Sequence, residues 1–317
     1  MEVNEKQIYD MEIKAPIFNI QTLCIHDGPG IRVTVFVKGC PLRCIWCANP
    51  ESNEAAAQLM TYAGRCTGCG QCMDVCRQQA IVLQKQEGRR IAATDHGACQ
   101  DCGQCVSVCQ NGAREIVGKM RTVSEVLEVI LQDKLFLDAS GGGMTISGGE
   151  ALAHPEFSRA LFCACQRAGI HTAIESCVFA SREVIDRVFA HVDLGLLDIK
   201  HMDPGEHERL TGVPNGQILS NIKYIYHERK VPVIIRVPVI PGKNDGISNI
   251  RAVGEFVSEE LGRQVPVHLL PYHQLGLSKY EGLGRPFGPL IRIPEKEHME
   301  RLRALVESYG LQVQIGG

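Results

Sequence analysis

Eleven of the fifteen cysteines in this 317-residue chain fall into three tight groups, and that distribution constrains the chain more than any other feature. One group is Cys40, Cys44 and Cys47, a second is Cys66, Cys69, Cys72 and Cys76, and the third is Cys99, Cys102, Cys105 and Cys109. Cys24, Cys163, Cys165 and Cys177 stand apart. A short secreted chain uses such a count for disulfides. This chain is long, and its polar start from Met1 to Lys14 lacks the apolar core of a secretion signal. The expected location is the cytoplasm, where thiols gathered at short spacings serve metals. No apolar run reaches membrane-spanning length. A formal net charge of −3 speaks against a broad nucleic-acid-binding face, which needs a basic excess.

From Lys119 onward, short β-branched runs alternate with amphipathic stretches. Strands are predicted over Gly143–Ser147, His171–Ser176, Leu194–Ile199, Pro232–Pro238 and Val265–Leu270, with Arg32–Lys38 leading the series. Helices are predicted over Ser124–Asp133, Glu156–Ala168, Ser181–Ala190, Gln217–His227 and Asn249–Leu261. Strand-then-helix repetition implies an α/β fold with a parallel sheet. With about six units it makes a partial (β/α)6 TIM-like barrel, short of a closed one. The apolar run Leu311–Ile315 adds an edge strand. Residues 60–118 break the pattern: no long helix or strand signal, and eight cysteines in two matching copies. The expected division is 1–59 for the first part of the barrel with its cysteine loop, 60–118 for a small inserted domain, and 119–317 for the rest of the barrel. So little apolar residue leaves the insert dependent on its metals.

Both copies read C-x2-C-x2-C-x3-C, the spacing of bacterial two-cluster ferredoxins, whose fourth cysteine crosses to the other cluster. One four-iron cluster is therefore expected on Cys66, Cys69, Cys72 and Cys109, and another on Cys99, Cys102, Cys105 and Cys76. Gly68, Gly70 and Gly103 suit the tight turns between ligands. Arg77 and Gln110 stand where ferredoxins usually carry proline, which leaves the ligands intact. Zinc also uses C-x2-C pairs, but rarely three cysteines at two-residue gaps, repeated.

The group Cys40-Pro-Leu-Arg-Cys44-Ile-Trp-Cys47 follows the first predicted strand, at the end where parallel βα folds carry their active sites. Three thiolates hold three irons of a four-iron cluster and leave the fourth open, the mark of a catalytic metal site. Cys24, before the strand, is the alternative fourth ligand. C-x3-C-x2-C with an aromatic before the last cysteine resembles the signature of the radical S-adenosylmethionine (SAM) superfamily. The resemblance implies that the open iron is chelated by the amino and carboxylate groups of SAM, and that an electron from the cluster cleaves the sulfonium to a 5′-deoxyadenosyl radical. It places Trp46 beside the adenine and the main chain of Cys47 and Ala48 against the adenosyl group. Gly148-Gly149-Glu150, after the predicted strand through Met144, resembles the superfamily's GGE motif. Glycines there admit a close ligand, and a carboxylate suits an ammonium.

His26-Asp27-Gly28-Pro29-Gly30-Ile31-Arg32 before the cluster strand, and Asn49-Pro50-Glu51-Ser52 after the cluster loop, resemble the glycyl-radical-enzyme activating enzymes. That resemblance spans nearly the whole chain outside the insert, and inserts of this kind occur in the longer members. It implies cofactor contacts from Asp198, Ile199 and Lys200, from Arg236 at the head of RVPVIPGKND, and from His273 in LPYH. It also implies a monovalent cation near Glu175 and Asp198, although glutamate stands where the family often has aspartate. Ala151 replaces a common proline. The implied activity is removal of a Cα hydrogen from one glycine of a partner glycyl radical enzyme, with no side chain as general acid or base. The insert's clusters then relay electrons from a flavodoxin or ferredoxin, or serve as structure or docking surface. Two rival readings are an electron-transfer ferredoxin fused to an inert barrel and a radical SAM enzyme acting on a small molecule or another peptide. Cys163 and Cys165 read as helix thiols and Cys177 as structural.

Overall fold

The computed structural model describes residues 10–86, 88–288 and 291–317; the first nine residues of the polar N-terminal stretch lie outside them. β1 (Lys14–Cys24) and β2 (Arg32–Val37) precede a segment holding β3 (Gln58–Thr61), β4 (Ile81–Gln86), β5 (Arg89–Thr94) and β6 (Arg114–Val117). There follow β7 (Lys119–Thr122), β8 (Gly143–Gly148), β9 (His171–Ser176), β10 (Leu194–Asp198), β11 (Val233–Val239), β12 (Val267–Pro271) and β13 (Val313–Ile315).

Nine of these strands form one sheet in the order β13-β12-β11-β10-β9-β8-β2-β1-β7. From β2 through β8 to β13 every pairing is parallel, so all six predicted core strands and the predicted edge strand are present. β1 runs antiparallel to both β2 and β7, an extension the sequence reading did not foresee. Along much of its length β1 is exposed, and the four residues of β7 carry no apolar alternation, so neither gives a period-2 signal.

Strand alternation gives the sheet two unlike faces. Val33, Val35, Val37, Met144, Ile146, Ile174, Leu197, Ile235, Val237, Val267 and Leu269 join the main apolar core on the helix-covered face. The opposite face carries Thr34, Thr145, Glu175, Asp198 and Arg236, among others. A closed barrel would fill this interior with branched side chains; here polar and charged side chains share it with a small apolar cluster of Ala173, Leu194, Leu196 and Ile234, and β13 and β7 remain the sheet's edges. Helices cover the outer face with ordinary start signals. Thr122 and Glu125 form a capping box at the helix Val123–Gln132, and Pro155 opens Pro155–Arg167. Ser181 caps Arg182–Phe189.

The cysteine-rich segment pairs β3 with β6 and β4 with β5, both antiparallel. Its two short helices, α1 (Gln71–Asp74) and α2 (Gln104–Ser107), start after Gly70 and Gly103 at φ of 87° and 76°, a conformation that favours glycine. Two of the five buried residues at its centre, Cys72 and Cys105, are cysteines; Leu59, Ile81 and Ala92 are the others.

Candidate active site

The cysteine loop leaves the C-terminal end of β2 and is closed at its base by main-chain bonds. Gly39 N–H donates to Ser52 O at 2.7 Å, and Cys40 N–H to Asn53 O at 3.2 Å. The turn after β8 locks onto it, with Gly149 N–H donating to Val37 O and Glu150 N–H to Gly39 O, both at 2.8 Å. The two glycines are required by this approach: a Cβ on Gly148 would lie 2.3 Å from Val37 O, and one on Gly149 2.4 Å from Gly39 O. Lys38 is fully buried, and its ammonium donates to Glu51 O. Burial pulls its pKa down to about 8. Trp46 packs with Leu210, Ile240, Tyr272 and Ile291.

Cys40, Cys44, Cys47, Trp46 and Ala48 face a cleft of about 250 Å³ together with Gly148, Gly149, Glu150, Glu175, Asp198, Lys200 and His273. Two expected contact residues are placed elsewhere. Ile199, just past the end of β10, is buried in the apolar core, while its neighbours Asp198 and Lys200 line the cleft. Arg236 does not line the cleft; its guanidinium is ion-paired with Glu175, which does. Cys24 pairs in register with Arg32 at the start of β2, whereas the cysteine loop lies beyond Val37. A six-residue strand separates them by roughly 20 Å, so Cys24 is no ligand to that group.

Burial pushes the thiols of Cys40 and Cys44 up to about 12, and raises Cys47 as well. Without metal they keep their protons, and iron binding must displace them. Burial opposes the charge of Lys200, yet the Asp198 carboxylate at 2.8 Å holds it protonated beyond the ordinary lysine range. Among the described residues no three His, Cys, Asp or Glu side chains gather closely enough to share one metal ion.

Glu150 is saturated by the protein. Its Oε1 accepts from Leu152 N at 3.0 Å and Ser176 Oγ at 2.6 Å, and its Oε2 accepts from Cys177 N at 2.9 Å and Cys177 Sγ at 2.8 Å. The carboxylate therefore ties the end of β8 to the end of β9. Cys177, read from sequence as structural, lines the cleft and donates to this carboxylate. The HDGPGIR segment lies at the opposite, N-terminal end of the inner face. There Asp27 accepts from Thr34 at 2.6 Å, and Arg32 donates to Thr145 at 2.6 Å.

One clamp had no sequence signal. From the helix Leu277–Gly282, Lys279 Nζ reaches Glu51 Oε1 at 2.6 Å and Asn49 Oδ1 at 2.7 Å, across 230 residues of sequence. Arg285 adds a bond to Pro50 O at 2.8 Å. Together they pin the turn that follows Cys47.

Residues 65–113 match the family model described as a 4Fe-4S dicluster domain, and residues 103–250 that of the radical SAM superfamily. A crystal structure of a radical SAM methyltransferase from Sphaerobacter thermophilus shares the fold at a TM-score of 0.52, covering 95% of this chain and 77% of that one at 13% identity. Cysteine loop, glycine turn and sheet thus define the class: this is a radical SAM enzyme. The choline trimethylamine-lyase activating enzyme of Oleidesulfovibrio alaskensis is 41% identical over 96% of this chain and 99% of its own length. The trans-4-hydroxy-L-proline dehydratase activating enzyme of Clostridioides difficile is 42% identical over 95% and 99%. The chain belongs to the family of glycyl-radical-enzyme activating enzymes.

Proposed function

We propose that this chain activates a partner glycyl radical enzyme by reductive cleavage of SAM. The observation that carries the reading is the convergence of Cys40, Cys44 and Cys47 with Gly148–Glu150, Asp198 and Lys200 on one cleft at the C-terminal rim of a parallel sheet. Three thiolates without a fourth suit a [4Fe-4S] cluster with one open iron, since the remaining thiol of the cleft, Cys177, is committed to Glu150. When bound, that cluster supplies the electron that splits the sulfonium, and the adenosyl radical so released takes a Cα hydrogen from the partner's glycine.

The protein's own part is positioning and exclusion of water. Trp46 and the main chain of Cys47 and Ala48 receive the adenosyl group, with His273 on the far lip. Lys200 and Asp198 present a fixed charge pair to the amino-acid end. Glu150 keeps the β8 and β9 rims in register, so the backbone of Gly148 and Gly149 stays within reach of the ligand. No side chain is needed as general acid or base.

Residues 60–118 act as an inserted two-cluster domain, with one cluster on Cys66, Cys69, Cys72 and Cys109 and the other on Cys99, Cys102, Cys105 and Cys76. Paired helices α1 and α2 and the duplicated glycine starts support this assignment. The insert passes electrons from a cytoplasmic flavodoxin or ferredoxin to the site. The partners in the relatives' names, choline trimethylamine-lyase and trans-4-hydroxy-L-proline dehydratase, differ at nearly equal identity, so the partner here is proposed by class alone.

The test is to incubate the reconstituted, reduced chain with SAM and purified glycyl radical enzymes of several kinds. A glycyl radical signal by electron paramagnetic resonance with one of them, and deuterium passing from its labelled glycine into deoxyadenosine, is the expected result. Deoxyadenosine formed without a protein radical on any partner would move the substrate to a small molecule or another peptide.

A further inference from the structure

The residues expected to hold a monovalent cation are already engaged with the protein. Glu175 Oε1 faces the Arg236 guanidinium, and its Oε2 accepts from Ser147 Oγ. The hydroxyl of Ser176 donates to Glu150 at 2.6 Å and accepts from Val178 N at 2.9 Å. Asp198 Oδ2 accepts from Lys200 at 2.8 Å. A hard cation needs several oxygens directed at one point, and these side chains do not offer them. The longer side chain explains the difference. Glu175 lies on β9 opposite Leu196 of β10, while Arg236 lies on the far side of β10 opposite Asp198. Glutamate extends one methylene beyond aspartate, which lets it meet the guanidinium across the intervening strand. The pair is nearly closed to solvent, with side-chain exposures of 9% and 21%, so its attraction is weakly screened.

We infer that the Glu175–Arg236 ion pair and Lys200 together take the place that a monovalent cation holds in related enzymes, so that this chain binds SAM without sodium or potassium. The inference rests on the proposed function. It assigns Arg236 a positioning role: the guanidinium orients Glu175, which lines the cleft, and does not itself face the ligand.

SAM affinity of the reconstituted holoenzyme, measured by calorimetry in tetramethylammonium buffer with and without added sodium or potassium, tests it. Affinity unchanged within about twofold (about 0.4 kcal/mol) is expected, and a gain of about tenfold with either ion overturns it. Glu175→Asp withdraws the carboxylate from Arg236 and is expected to create a dependence on one of the ions. A variant as indifferent to salt as the parent would overturn the assignment to the Glu175–Arg236 pair. Cleavage to deoxyadenosine is read in parallel: salt-independent affinity with no cleavage supports the inference and sinks the proposed chemistry alone.

Discussion

Cys44 packs at the edge of an apolar cluster, Trp46, Leu210, Ile240, Tyr272 and Ile291, that contains no buried cysteine. Cys72 and Cys105 are instead at the centre of the cysteine-rich segment, two of its five buried residues. The loop is further fixed by main-chain bonds at its base and by Lys279 from a distant helix. Among its described residues the segment has two-strand pairings and helices of three or four residues. The Cys40–Cys47 loop is therefore held on a scaffold that stands by itself, whereas the thiols of the cysteine-rich segment are themselves part of its core. A catalytic cluster needs a rim preorganised before the cofactor arrives; clusters with no substrate to place can be a fold's own staples.

The sharpest way to break this contrast is to remove the clusters altogether. With iron chelated, amides of β4, β5, α1 and α2 are expected to exchange at rates near those of an open chain, while β8 to β11 stay protected; equal loss in both regions would erase the distinction. Next, Cys72→Ala or Cys105→Ala is expected to open the segment 66–109 to proteolysis and cost about four irons. The barrel should keep its far-ultraviolet signal, and a protease-resistant segment would contradict the role given to these thiols. A smaller effect belongs to Lys279→Met, which leaves the Glu51 carboxylate buried and unpaired. Urea melts should show about 1–3 kcal/mol lost, with Lys279→Arg recovering part of it. The smallest expectation is Cys163→Ser, on the outer helix, with iron content and product unchanged.

Much of the frame was legible because its signals are local. Alternation in Val33, Val35 and Val37 marks a strand whatever surrounds it, and the cysteine spacings carry their own geometry. Ile199, just beyond β10, sends its side chain into the core while its neighbours Asp198 and Lys200 line the cleft. What stayed hidden depends on distant partners. Lys279 is an ordinary lysine until the fold brings it to Glu51, and β1 and β7 become strands by adding to a sheet edge that already exists. Glu150 lines the cleft, and nothing local announces that Ser176 and Cys177 also donate to its oxygens.

The central claim is that Cys40, Cys44 and Cys47 hold a cluster that cleaves SAM, separate from those of the cysteine-rich segment. Anaerobic reconstitution of the parent chain and of Cys44→Ala, with iron and 5′-deoxyadenosine counted after reduction with SAM, tests it most directly. The account predicts about twelve irons and product for the parent, and about eight irons with no product for the variant. Product from Cys44→Ala, or a parent chain that saturates near eight irons without cleavage, would contradict it.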